Sequence, residues 1–188
     1  MDGWVKPGHD GVGPVAEGEI HNDHFPNLQA GWIFSCRPVA SMVGTMSDRF
    51  YLTRFITAQD PVYERVWGEL CEGHKQTHWM WFVFPQLAGI GDSDMSRTYG
   101  LSGLDEARSY LAHPILGERL VECTKQVLRF EDRPISHIFS FPDDLKFHSS
   151  MTLFGEASNG GSVFQSALDK FFDGAPHDIT KRLLKAAH

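Results

Sequence analysis

Two stretches hold most of the residues that can do chemistry. The first, HWMWFVFPQL at residues 78–87, sets His78 and Gln86 among two tryptophans and two phenylalanines, with Lys75 just upstream. The second, DDLKFHSSMTLF at residues 143–154, places Asp143, Lys146, Ser149 and Ser150 within two helical turns among apolar residues. A lysine among apolar neighbours needs an anionic partner, because an unpaired buried charge is strongly disfavoured. A stacking ring on Trp79 or Trp81, with phosphate held by Lys75 and Lys146 and hydroxyls from Ser149 and Ser150, would suit a small anionic, planar ligand. His78 and Asp60 are the candidate acid or base, and Gln86 a candidate polar contact.

Each of these residues also has a plainer reading. Trp79 and Trp81 can be core packing, and Asp60, followed by Pro61, fits a helix N-cap. His78 can satisfy a neighbouring carbonyl, and Asp143 with Lys146 can be a weak surface pair. His74 and His78 have the i, i+4 spacing of metal ligands, but HKQTH lacks the glutamate of the zinc-protease motif and no third ligand is identifiable. No metal is expected, and no cofactor is named by any motif. LAGIGDSD has glycines but no preceding strand, so it reads as a turn and not as a phosphate loop.

Helices must position these residues. PVYERVWGELCEG follows Asp60, with Pro61 at the first helical position, and closes at Gly73; Ser102 with Asp105 resembles a capping box. Leu116, Leu120, Cys123 and Val127 recur on one helix face, and Ser162 with Gln165 resembles a second capping box ahead of a helix ending at Gly174. HWMWFVFPQL, apolar nearly all round, reads as a buried helical segment with Trp79, Phe82 and Val83 on one face. No run alternates as a strand does, so the expected fold is all-α: a compact multihelical single domain of about eight short helices. Residues 1–45 hold seven of the 18 glycines and four of the ten prolines and read as a flexible leader, with the domain spanning 46–188.

The bulk properties narrow the classes. A formal charge of -7 and pI near 5.7 disfavour general nucleic-acid binding, which needs a surplus of Lys and Arg. Three scattered cysteines fit neither a disulfide framework nor a zinc knuckle, and the longest apolar run is far too short to span a membrane. The expected setting is cytoplasmic.

In order along the chain, RFITAQDPVYERVWGEL, GHKQTHWMWFVFPQLAGIG, YGLSGLDEARSYLAHPILGERLVECT and DDLKFHSSMTLF resemble the domain-of-unknown-function 1810 family from about Phe50 to Phe172. The resemblance implies a small multihelical domain and supplies no reaction. Some members carry a calpastatin-like label, which an aromatic content of 12% does not fit, since disordered inhibitors are poor in aromatics. Three functions remain open: an enzyme acting on a nucleotide or ADP-ribose-like ligand, with glycosidic-bond hydrolysis as its reaction; a non-catalytic binding or interaction module; and motifs that serve packing alone. Deleting residues 1–45 is expected to leave the helical domain folded, since Gly- and Pro-rich tails contribute little packing. A melting temperature that drops sharply on truncation would show that the segment docks on the core.

Overall fold

The computed structural model describes residues 49–158 and 162–186, so the proposed leader lies outside the described residues. They fold as ten helices: α1 (Thr53–Gln59), α2 (Tyr63–Glu72), α3 (Met80–Val83), α4 (Asp94–Tyr99), α5 (Leu104–Ala112), α6 (Leu116–Leu128), α7 (Ile135–Ile138), α8 (Asp143–Ala157), α9 (Val163–Phe171) and α10 (Asp178–Ala186). Among the described residues there is no strand, only an isolated bridge between Leu87 and Leu101. Two of the helices, α3 and α7, are four residues long. About eight helices are expected from the sequence and ten are present among the described residues; a single turn such as α7 is too short to leave a periodic signal. No helix among the described residues is long and apolar enough to cross a membrane.

The central element is α8. Phe147, Met151, Leu153 and Phe154 are fully buried, and Ser149, Ser150 and Thr152 are buried with them. It packs against α5, α9 and α10 and touches α3 and α7. A helix enclosed on so many sides has no clean polar face, which is the pattern of a core helix. The expected all-round apolar helix is therefore α8. HWMWFVFPQL forms only the single turn α3, and its backbone leaves helical geometry at Phe84. The predicted facing survives this correction in part: Trp79, Phe82 and Val83 are buried, and His78 is exposed, but Met80, Phe84 and Pro85 are buried too.

So short a helix cannot satisfy its own ends, and neighbours do it. Gln59 donates to the Phe82 carbonyl at 2.7 Å, and the Tyr110 hydroxyl donates to the same oxygen at 3.2 Å. Burial pushes the Tyr110 hydroxyl's pKa well up, so it stays a donor. On α6, Leu116, Leu120, Cys123 and Val127 are all fully buried, as their spacing predicts. Helix α2 ends at Gly73 in the left-handed region (φ 65), where an added Cβ would also lie 2.5 Å from the Arg133 guanidinium and 2.7 Å from the Phe130 ring.

Three expected caps are corrected. Asp60 is helical and terminates α1 instead of opening α2, whose N-cap position is Val62; its carboxylate meets Arg119 at 2.9 Å. Ser102 pairs with Glu106 and not Asp105: its backbone N–H and hydroxyl both donate to the Glu106 carboxylate, at 2.8 and 2.7 Å. Glu106 also binds Arg54 at 2.6 Å. Ser162 precedes α9 but makes no side-chain cap, and Gln165 turns instead to Asp169.

Trp79 and Phe82 sit in the aromatic core, Trp79 edge-on to Phe139 and Phe82 edge-on to Tyr99. Trp79→Ala and Phe82→Ala are each expected to cost about 3 to 5 kcal/mol in chemical denaturation. Losses under about 1 kcal/mol for both would contradict their interior placement.

Candidate functional site

The segment between α2 and α3 is organised by a buried carboxylate. Glu69 lies on the apolar stripe of α2 with Val66 and Leu70, all buried. It accepts four hydrogen bonds: from Gln76 N–H at 2.8 Å, Thr77 N–H at 3.1 Å, the Thr77 hydroxyl at 2.6 Å and Trp79 Nε1–H at 2.7 Å. Burial alone would raise the pKa of this group, but the donors from Thr77, Gln76 and Trp79 outweigh it and hold the carboxyl below its ordinary range. The chain from residue 73 to 79 is thereby wrapped around one anion. Lys75 is fixed within that wrap by its backbone, which donates to the Ile138 carbonyl of α7 at 2.9 Å.

Lys75 and Lys146 converge on Asp143. Lys75 Nζ is 2.5 Å from Asp143 Oδ2, and Lys146 Nζ is 2.6 Å from Asp143 Oδ1. The three side chains are 7%, 18% and 16% exposed, which separates this group from a solvated surface pair. Burial raises the Asp143 pKa, and the hydrogen bonds and charges of Lys146 and Lys75 lower it further than that, so the carboxylate stays ionised. Each ammonium also faces an indole: Lys75 lies 5.2 Å from the Trp79 ring centre and Lys146 4.3 Å from that of Trp81. Two cations share one carboxylate. The next anion is Glu69, bonded to the N–H of the Trp79 ring that Lys75 faces.

The candidate residues divide accordingly. Lys75, Lys146 and Trp81 come together, and Gln86 lines a shallow depression with Trp81, Ser96 and Tyr99. The main chain of Gln86 is held there, its carbonyl accepting from Leu101 N–H at 2.8 Å. Trp79 is 1% exposed with its N–H on Glu69, so it backs the group from inside and offers no stacking face. Ser150 follows Lys146 by one turn of α8, and its buried hydroxyl has no partner among the described residues, nor has the indole N–H of Trp81. Ser149 points to α10, 2.9 Å from the Thr180 hydroxyl. His78 is exposed beyond the wrap, and Asp60 is engaged with Arg119. Among the described residues no three His, Cys, Asp or Glu side chains gather as a metal site.

Two organising residues escape a reading by motif. Glu69 is visible as an anomaly, a glutamate three residues after Val66 and one before Leu70 on an apolar stripe. Asp143 is legible as the i, i+3 partner of Lys146, but its second cation comes from 68 positions upstream (143 − 75) and leaves no local signal.

A small all-α domain with a half-buried lysine–carboxylate–lysine group against tryptophan is thus defined by fold and geometry. The chain belongs to the family described as "Protein of unknown function (DUF1810)", whose model matches residues 49–184 and so extends the resemblance from Phe172 through most of α10. It is similar to a crystal structure of the conserved hypothetical protein Rv1873 from Mycobacterium tuberculosis. The two are 49% identical with a TM-score of 0.72, over 73% of this chain and 99% of that one. No curated protein matches the chain.

Glu69→Ala would strand the Trp79 N–H and the Gln76 and Thr77 donors, and is expected to destabilise by at least about 3 kcal/mol in urea. A loss below about 1 kcal/mol would show that water replaces the carboxylate freely. Because the Glu69 and Asp143 pKa values are depressed, their contribution is present above the ordinary carboxyl values of 4.5 and 3.8 and is lost as pH falls below them. A melting temperature that declines steeply below about pH 4.5 in wild type, and less in Glu69→Gln, is the expected profile.

Proposed function

We propose that Lys75, Lys146 and the half-buried face of Trp81 bind a small anionic ligand, with a planar, nucleotide or ADP-ribose-like molecule as the best fit. The observation that carries this reading is the two-to-one ratio of ammonium to carboxylate in the group around Asp143. An acidic chain that keeps two lysines largely out of solvent on one directly bonded carboxylate retains donors for a phosphate-type anion. Trp81 supplies a ring beside that charge, and Gln86 a hydrogen-bonding amide next to the ring.

Hydrolysis of a glycosidic bond in such a ligand is the finer form of this reading. Asp143, kept ionised by its lysines, would be unsuited to donate a proton. His78, exposed at the edge of the same stretch, would then carry the proton. The non-catalytic alternative keeps the ligand and dispenses with His78.

Thermal shift of the full chain with inorganic phosphate, AMP and ADP-ribose tests the proposal. At about 100-fold over Kd a ligand adds about 2.7 kcal/mol of stability, which is readily seen as a higher melting temperature. Lys75→Ala and Lys146→Ala are expected to stay folded without ligand and to lose that increment. No shift in wild type with any of the three probes, or full shifts in both variants, would overturn the site. His78→Ala separates the two forms: retained binding with lost turnover supports the hydrolase, and an unchanged protein supports the binding module.

A further inference from the structure

The seam between α8 and α10 carries a second polar network, independent of the anion site. His177 stands directly before α10, with Nδ1 2.9 Å from the Thr180 hydroxyl and 3.4 Å from the Thr180 N–H. An imidazole thus occupies the capping position usually filled by Ser, Thr, Asp or Asn. The Thr180 hydroxyl lies 2.9 Å from that of Ser149 on α8, and both residues are fully buried. Thr152, also on α8, accepts from the His177 N–H at 2.8 Å and donates to the His148 carbonyl at 2.9 Å. His148 stacks on Phe172 at 3.9 Å with planes 4° apart, and its Nε2 lies 2.8 Å from the Ala175 carbonyl. The two imidazole centres are 5.3 Å apart.

We infer that this seam is a pH-sensitive latch, in which neutral His177 docks the C-terminal helix on α8 and its protonation releases it. The Thr180 N–H can only donate, so the cap requires a lone pair on His177 Nδ1. A proton there removes the acceptor and places a cation at the N-terminus of α10, the positive end of the helix dipole. The Thr180–Ser149 hydroxyl chain would have to reverse direction at the same time. Neutral His148 already satisfies the Ala175 carbonyl with Nε2–H, so its own protonation adds only a second positive charge beside the first.

The charged groups around His177 are His148 from α8, Asp178 in the first turn of α10, and the Lys181–Glu156 pair that links the same two helices at 2.6 Å. The end of α9 contributes the Phe172 ring. Burial first and His148 second disfavour the charged imidazole, and together they outweigh Asp178, so the folded-state pKa lies below the ordinary 6.5. The docking contribution is therefore complete above 6.5 and is lost as pH falls from there towards the lowered folded value. That window opens at a higher pH than the one in which Glu69 and Asp143 act.

Hydrogen exchange of the full chain, corrected for the intrinsic pH dependence of exchange, reads the latch directly. Between about pH 7.5 and pH 5, amides of α10 are expected to open about tenfold more, while those of α6 keep their protection. His177→Asn retains a capping acceptor that does not titrate, and should flatten the α10 profile. An α10 that follows α6 across the range, or an Asn variant with the wild-type profile, overturns the latch. If the variant does not fold, NMR titration of His177 in the wild-type chain decides: a pKa below 6.5 supports the latch, and one at or above 6.5 overturns it.

Discussion

The Glu69 carboxylate is the interaction on which the site depends. It is a single anion, buried on α2, that collects two backbone N–H groups, a hydroxyl and an indole N–H from the next ten residues. A segment of that length without periodic structure ordinarily turns its amides to water. Here the anion takes the place of water for the Gln76 and Thr77 amides, and the segment, with His74, Gln76 and His78 exposed, is turned so that Trp79 enters the core. Trp79 is drawn inward as a consequence, α3 follows as a single turn, and Lys75 is left with its ammonium against the Trp79 ring and the Asp143 carboxylate. Charge at one point thus sets the path of the chain, and the path places a second charge.

Helix α8 then divides two kinds of chemistry. Lys146 on one side joins Lys75 and Trp81, while Ser149 bonds Thr180 of α10, and His148 and Thr152 hold Ala175 and His177 in the segment that leads into it. An enclosed helix with hydroxyls and a histidine in its sequence must pair them across its interfaces, because buried polar groups without partners are costly. Ser150 is the exception on this helix. It follows Lys146 by one turn of the helix.

The all-α class, the α6 stripe and the Gly73 stop are legible in the sequence because they rest on local rules: periodicity and backbone sterics. The caps at Asp60, Ser102 and Ser162 are misread for a shared reason. Each offers a plausible local partner, and in each the side chain is claimed or abandoned by tertiary neighbours: Arg119 for Asp60, the Arg54–Glu106 pair for Ser102, and burial without a cap for Ser162. Among the site residues, Lys146 with Asp143 follows from spacing. The grouping of Lys75 with them does not, because it is made by the wrap around Glu69 and by contact between distant helices. The assignment of Trp79 as a stacking wall fails because an indole N–H engaged by a buried carboxylate turns the ring inward.

A double-mutant cycle between Glu69→Gln and Lys75→Met measures the dependence of the lysine group on Glu69 without any ligand. Unfolding free energies of wild type, the two single variants and the double variant give the coupling. Distant, independent sites add to within about 0.5 kcal/mol, so a coupling of about 1 kcal/mol or more is the predicted result. Strict additivity within that margin would mean that Lys75 reaches Asp143 without the Glu69 clamp, and that the lysine group does not depend on it.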